Sequence, residues 1–584
     1  MRLFPHSSRA VLPTLISLAL PPGLVAQQSG SQEVLELPTY TVTAERELPP
    51  PETWFYTRID GFEVLSNSSE SQSRDLLNEF QRFAHALNLV WPGVTPRAGA
   101  PVALVICGRG DKFGPFRPPA AASIDKAMVS LTLRSREQAA IVLDLQTKVL
   151  NLATAEGSTS AAAPTDETTE GTGGDPGLAV DAYRQLYREY IRFLLSGLDS
   201  PSPAWFSEGL AQIFMAMEVT ESSITLGKLA DPNLVPAAPV GGWAAPQEDR
   251  DFNAALARKH LMPMTEMFAV SRDSAEALNP LGTTWAKQCY AFVHWGLYGD
   301  QGSHQKAFLT FITRLERESL NETLFKDCFK QSYRDMLFTL RSYIETTRYK
   351  VAGLKAEKGQ KIPVPPPVQL REATQAEVGR IYGDTLLLAG HPTEARTAYV
   401  TAYRRGERDP ALLAAIGLVE LAAGDVERAR KFLDASVAGK AARPRAYLEL
   451  SRLRLAESLA KPQGESGKLS PTQTAAVLDP LFTVRDQPPA LPEIYELMAE
   501  IWSHSAMRPT TVHLAAIEQG VKLFPRNAAL VYRAAELRAR HGFAAEAHSL
   551  VRLGLRVAPD APTRTRFEQL QASLPPQPPA TGNN

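Results

Sequence analysis

Residues 383–417 read GDTLLLAGHPTEARTAYVTAYRRGERDPALLAAIG. Gly383 and Gly417 stand 34 residues apart, and so do Gly390 and Gly424, Ala395 and Ala429, and Pro410 and Pro444. Pro525 and Pro559 keep the interval, and HGFAAEAHSLVRLGLRVAPD (541–560) brings Gly542, Ala547 and Pro559 back in step. Small residues at fixed offsets are what stacked helix pairs require, because two helices approach closely only where one side chain is small. A polar, Pro-containing insertion at 459–490 interrupts the series.

This spacing resembles the tetratricopeptide repeat, with three clear units and two degraded ones over 374–572. The resemblance implies an all-α solenoid whose concave face takes a protein or peptide partner, and a region that folds by itself.

Upstream, VAGLKAEKGQKIPVPPPVQLREA carries Lys355, Lys358 and Lys361 and a proline cluster; 351–373 is predicted to be a Lys/Pro-rich linker. Residues 54–150 read as an α/β subdomain. GFEVLS and the apolar run VALVICG suit strands, SRDLLNEFQRFAHALNLVWP has helical spacing, and KAMVSLTLRS and AAIVLDL suit adjacent strands. Residues 151–178 are of low complexity and are predicted to be a disordered loop. From there to residue 350 the pattern is helical. At the ends, 27–53 is predicted to be a flexible leader and 573–584 a disordered tail.

Residues 1–26 have the form of a secretory signal peptide, with Arg2 and Arg9 before an apolar run from Ala10 to Leu20 and a cut after Ala26. The expectation is an exported protein, periplasmic or extracellular, with no membrane span after cleavage. The 584 residues carry 62 basic and 63 acidic side chains, a net charge of −1, which argues against nucleic acid as the partner. Of Cys107, Cys289 and Cys328, the latter two are candidates for pairing; three free buried thiols are the equal alternative.

Residues 181–196, DAYRQLYREYIRFLLS, form an amphipathic helix, and 202–214, SPAWFSEGLAQIF, a second. A helical zinc hydrolase sets two histidines at i and i+4, a glutamate beside the first, and a third ligand on a following helix. P-x-W-F-x-E-G-L-A resembles the third-ligand segment of the peptidase MA-like gluzincins, a group that includes secreted bacterial proteins of unassigned function. The resemblance extends over about 55–350 and makes 179–350 a helical gluzincin-like subdomain; QCYAFVHWGL (288–297) is similar to a downstream helix of that family.

Carried over by position, the resemblance puts Arg188 and Arg192 where the two zinc-ligating histidines stand, Glu189 at the general base and Glu208 at the third ligand. A guanidinium offers donors only and cannot ligate a cation. No HExxH occurs elsewhere, and His294 and His304 lack ligand spacing. Zinc is therefore expected to be absent, Glu189 vestigial, and both guanidiniums paired with Glu208. The bland alternative is that Arg184, Arg188 and Arg192 are a solvated stripe.

The expected architecture is an α+β gluzincin-like N-terminal domain followed by an all-α repeat solenoid. The expected function is that of an exported pseudo-metallopeptidase that binds protein or peptide through its repeats. An active hydrolase with a non-standard site and a purely structural envelope scaffold are the alternatives.

Overall fold

The computed structural model describes residues 37–40, 50–59, 61–92, 102–119, 128–147, 149–150, 178–179, 181–197, 202–229, 261–280, 283–346 and 349–575. The expected signal segment (1–26), most of the leader, nearly all of the low-complexity loop and the tail past 575 lie outside the described residues.

The first part of the chain runs β1 (Phe55–Ile59), β2 (Phe62–Ser66), α1 (Glu70–Val90), β3 (Val102–Cys107), β4 (Ser130–Arg134), β5 (Ala139–Asp144), β6 (Val149–Leu150) and β7 (Leu178–Ala179). It continues through α2 (Ala182–Ser196), α3 (Ala204–Met215), β8 (Glu218–Val219), β9 (Ser223–Leu226), α4 (Met264–Ala269), α5 (Ala275–Leu278) and α6 (Thr284–Tyr298). Then come α7 (Gln305–Leu315), α8 (Glu322–Phe329), α9 (Tyr333–Thr346), β10 (Ala352–Lys355) and β11 (Arg371–Glu372).

Six strands form one mixed sheet in the order β11-β1-β2-β3-β5-β4, parallel where β3 meets β2 and β5. The side-chain alternation of its central strands explains their continuous hydrophobicity. Leu104, Ile106, Ile141 and Leu143 point to a core shared with α1, α2 and α3. Val105, Cys107, Ala140 and Val142 point the other way, into a core shared with Ile381, Tyr399, Leu412 and Phe432 of the repeats. The sheet is thus the middle layer between the N-terminal helices and the first repeats.

The repeats are antiparallel helix pairs: α10 (Gln375–Leu388) with α11 (Pro392–Arg404), α12 (Pro410–Ala422) with α13 (Val426–Ala438), and α14 (Pro444–Ala460) with α15 (Pro471–Val484). The series goes on with α16 (Pro492–His504) and α17 (Thr511–Leu523), α18 (Ala528–Arg540) and α19 (Ala544–Val557), and a final α20 (Ala561–Ser573). The 34-residue spacing has two physical sources. Gly390 and Gly424 turn the chain inside successive pairs at φ of +90° and +87°. Gly383 and Gly417 lie where a Cβ would stand 2.3 Å from the Tyr399 ring and 2.8 Å from Leu433 Cγ.

Several sequence expectations change here. The segment 351–373 is no free linker: β10 pairs with β9, and β11 is an edge strand of the six-stranded sheet against β1. The region 179–350 holds β8 and β9 besides helices. The tail begins later than expected, since Ser573 ends α20 and Leu574 is buried. The leader is placed at two points, Leu37–Tyr40 on the repeats and Glu52 in an ion pair with Lys112. All three cysteines are free thiols.

Candidate functional site

The side chain of Asp181 caps α2 by accepting from the backbone N–H groups of Tyr183 and Arg184. The apolar face of α2 packs on the sheet, with Leu186, Tyr190, Ile191 and Leu194 in the N-terminal core. The segment WFSEGLA begins α3 after Pro203. Its glycine sets the spacing to the next helix, because a Cβ at Gly209 would lie 2.5 Å from the Cys289 carbonyl oxygen and from Val293 Cγ2 of α6. Trp205 fills an aromatic cluster with Phe268, Phe292 and Phe311.

These two helices bring Arg188, Glu189, Arg192 and Glu208 together. Arg188 donates from Nε to Glu208 Oε1 at 3.1 Å and from Nη2 to Oε2 at 3.2 Å. Arg188 Nη1 reaches Gln185 Oε1 at 3.3 Å and Glu189 Oε1 at 3.5 Å. Arg192 does not meet the expectation that it also pairs with Glu208. It donates to Glu189 Oε1 at 3.4 Å and to the Ala277 carbonyl at 2.8 Å, because the i, i+3 spacing places it on the Glu189 side. The arginine stripe is not solvated: the Arg188 side chain is 4% exposed, and Arg184 donates to the carbonyls of Met215 and Met217 at the end of α3.

Several partners in this cluster were not singled out from the sequence. Ser130 and Thr132 of β4 donate to the two Glu189 oxygens at 3.0 and 2.7 Å. Gln212 donates to Glu208 Oε1 at 3.0 Å and to the Ala286 carbonyl at 2.9 Å. Gln212 stands one helical turn after Glu208, which is the only sequence signal for it. Lys287 of α6 is buried beside Glu208; burial pulls its ammonium down to about 7, against the pull of that carboxylate.

Burial would raise Glu189, but Arg192, Arg188 and the two hydroxyls hold it below the usual carboxylate range. Burial likewise works against the charge of Arg188, and Glu208 and Glu189 outweigh it. A general base must reach a substrate proton, and a general acid must hold one. Glu189 is fully buried, held in its charged form and surrounded by donors.

The residues do not fit a zinc ion. The Arg188 guanidinium stands between the two carboxylates, and among the described residues no group of three or more His, Cys, Asp or Glu is placed to hold a metal. His294 is a buried packing residue. Its Nε2 donates to the Gly227 carbonyl at 2.9 Å, its Nδ1 accepts from Tyr343 at 2.7 Å, and burial lowers it to about 4. His304 pairs with Asp300 at 2.9 Å.

A second polar region lies between the sheet and the first repeats. Arg380 of α10 grips Glu63 of β2 with two bonds of 2.9 Å, and Arg58 adds a third of 2.7 Å. Asp384 accepts from Tyr399 at 2.7 Å, from Arg443 at 3.0 Å and from Gln138 at 3.3 Å. Glu137 pairs with Arg445, and Arg136 reaches Glu493 at 3.2 Å. The turn between β4 and β5 therefore already faces helices of the third and fourth pairs, leaving a cleft of about 670 Å³.

No family model matches the chain, and no curated protein matches it. Among solved structures, the chain is similar to a thermophilic TPR protein of Thermus thermophilus, at 20% identity and a TM-score of 0.25 over 34% of this chain and 99% of that one. It is similar to YrrB, a TPR protein with an unusual peptide-binding site, at 12% identity and a TM-score of 0.26, covering 33% and 90%. A third likeness is to the APC/C hetero-tetramer Cut9-Hcn1, at 11% identity and a TM-score of 0.26, covering 66% and 67%. Among the described residues no helix is long and apolar enough to cross a membrane.

Proposed function

We propose that the chain is a protein- or peptide-binding module, built from tetratricopeptide-type helix pairs on an α/β domain that has the form of a peptidase and not its chemistry. The single observation that carries this reading is the forked pairing of Arg188 with Glu208. In a gluzincin-like arrangement that place belongs to the metal, and here a side chain fills it. On this reading Glu189 and Glu208, the carboxylates that the resemblance aligns with the general base and the third ligand, serve to join α2, α3 and β4. The helix pairs that follow present the extended surface on which such a module works. The N-terminal run of Arg2, Arg9 and Ala10–Leu20 supports an exported setting, periplasmic or extracellular.

An active hydrolase is the weaker reading, because Glu189 and Glu208 are buried and ion-paired. The test is metal content and proteolysis on the purified chain, with zinc added back. The reading expects no stoichiometric zinc and no cleavage of casein. One tightly bound zinc per chain, with chelator-sensitive cleavage, overturns it.

A further inference from the structure

The repeats already hold a peptide, and it comes from the chain itself. Residues Leu37–Tyr40, LPTY, lie against α11, α12 and α13, with Leu37 and Tyr40 packed on the core that the sheet shares with the repeats. The Tyr40 hydroxyl donates to Glu420 Oε1 at 2.7 Å. Its ring stacks on Phe432 at 6.0 Å and meets Tyr403 edge-on at 5.8 Å. The guanidiniums of Arg396 and Arg428 sit 5.6 and 5.1 Å from the same ring. The Tyr403 hydroxyl donates to the Pro38 carbonyl at 3.0 Å, so the main chain of the segment is held as well as its side chain.

Glu420 is the decisive residue. It is 1% exposed on a repeat helix, where a carboxylate is costly unless it is paired. Arg396 Nε donates to Oε1 at 2.8 Å, the same oxygen that receives the phenol, and Arg428 lies 3.7 Å from Oε2, so the charge is met. The repeat itself does not ask for these groups. One period earlier, the places of Glu420, Arg428 and Phe432 are taken by Leu386, Glu394 and Ala398, and one period after Tyr403 stands Val437. Stacking the helices needs only apolar contact there, as Leu386 shows by being buried. Glu420, Arg428 and Phe432, which differ from the preceding unit, all meet Tyr40, whereas Arg396 is matched one period later by Arg430.

We infer that the junction of the first two helix pairs is a recognition site for an extended peptide of the form Leu-Pro-x-Tyr. It is selective for the tyrosine phenol through Glu420, and it is filled in cis by the chain's own Leu37–Tyr40. This deepens the binding-module reading by naming a site and a ligand class. It lies on α11, the end of α12 and α13, and Glu420, Arg396, Arg428, Tyr403 and Phe432 do not line the cleft that faces the sheet.

The experiment uses the full chain and a fluorescein-labelled peptide of residues 35–42, LELPTYTV, followed by fluorescence anisotropy. A tethered segment competes at an effective concentration of about millimolar, so the wild type takes up the peptide poorly. Tyr40→Ala is expected to bind it at least about tenfold more tightly, and Tyr40→Phe, which keeps the ring in place, to fall between the two. On Tyr40→Ala, a peptide with Phe in place of Tyr is expected to bind roughly tenfold more weakly. Adding Glu420→Leu, which copies Leu386 of the preceding unit, is expected to remove the preference for Tyr over Phe. Circular dichroism checks that each variant keeps its helices, and Tyr40→Phe serves if Tyr40→Ala does not. Equal binding by all three chains overturns the inference. So does an undiminished preference for Tyr with Glu420→Leu, or no binding to a folded Tyr40 variant at millimolar peptide. None of these failures bears on zinc content or proteolysis, so the reading of the α/β domain is tested separately.

Discussion

The Arg188 guanidinium lies edge to edge with the Glu208 carboxylate, Nε to Oε1 at 3.1 Å and Nη2 to Oε2 at 3.2 Å, with both side chains under 5% exposed. This fork joins α2 to α3 across the interior of the N-terminal domain. Two parallel bonds of this kind fix geometry as well as supplying attraction.

Breaking it strands a buried charge. Glu208→Ala and Arg188→Ala are each expected to cost about 3–5 kcal/mol in chemical denaturation, and the double variant less than their sum by about 0.5–3 kcal/mol. Arg192→Ala is expected to couple to Glu189 and not to Glu208, since no bond joins Arg192 to Glu208. Strict additivity of the Arg188 and Glu208 losses would show that the fork does not act as a unit.

Lys287 makes stability depend on pH in the alkaline direction. Burial lowers its ammonium from 10.5 to about 7, so between those values the unfolded chain binds more protons than the folded one. Stability is then expected to rise as pH goes from about 7 to 10 through this group. Lys287→Met is expected to be more stable than the wild type at pH 6, by an amount on the order of a few kcal/mol, with the difference shrinking toward pH 10. A difference that does not change with pH counts against it.

Glu63 works in the acid range. Burial pushes its carboxyl up, but Arg380 and Arg58 pull it down further, from 4.5 to about 2. Its contribution is fully present above about pH 4.5 and is lost as pH falls through 2. Glu63→Gln is expected to lose on the order of 3 kcal/mol at pH 7 and to show a flatter acid unfolding profile than the wild type. Profiles of equal steepness would mean that the sheet and α10 are not tied through this pair.

The repeat glycines separate packing from backbone freedom. Gly383→Ala gains helix propensity, yet its new Cβ meets the ring of Tyr399, which is fully buried and held by Asp384. A net loss of about 1–3 kcal/mol in urea denaturation is expected. Gly424→Ala meets open space but sits at φ +87°, and a loss of about 1 kcal/mol is expected from strain alone. A stabilising Gly383→Ala would show that the first pair is not packed as closely as described.

The repeat period was legible because it has a local cause. Gly390 and Gly424 must take positive φ and Gly383 and Gly417 must be small, and no distant contact changes that. Most strands and helices upstream were legible for the same reason, through their two- and 3.6-residue periodicity. The candidate site was half legible. Glu208 and Arg188 could be placed on facing helices by motif spacing, whereas Ser130, Thr132 and Lys287 join them from elements far away in the chain. Sequence position carries no sign of such neighbours.

The apolar run in Val102–Cys107 already required cover on both faces of that strand, because its side chains alternate and nearly all are hydrophobic. It could not say what the second cover is. Only the tertiary structure decides that Val105 and Cys107 meet the repeats, that the Lys- and Pro-rich segment adds strand β11 to the sheet, and that Tyr40 lies on Glu420. The reason is physical: hydrophobic burial is non-directional and fixes how much surface must be covered, while the covering partner depends on shape and on buried charge pairs such as Arg380 with Glu63, which form only once distant segments meet.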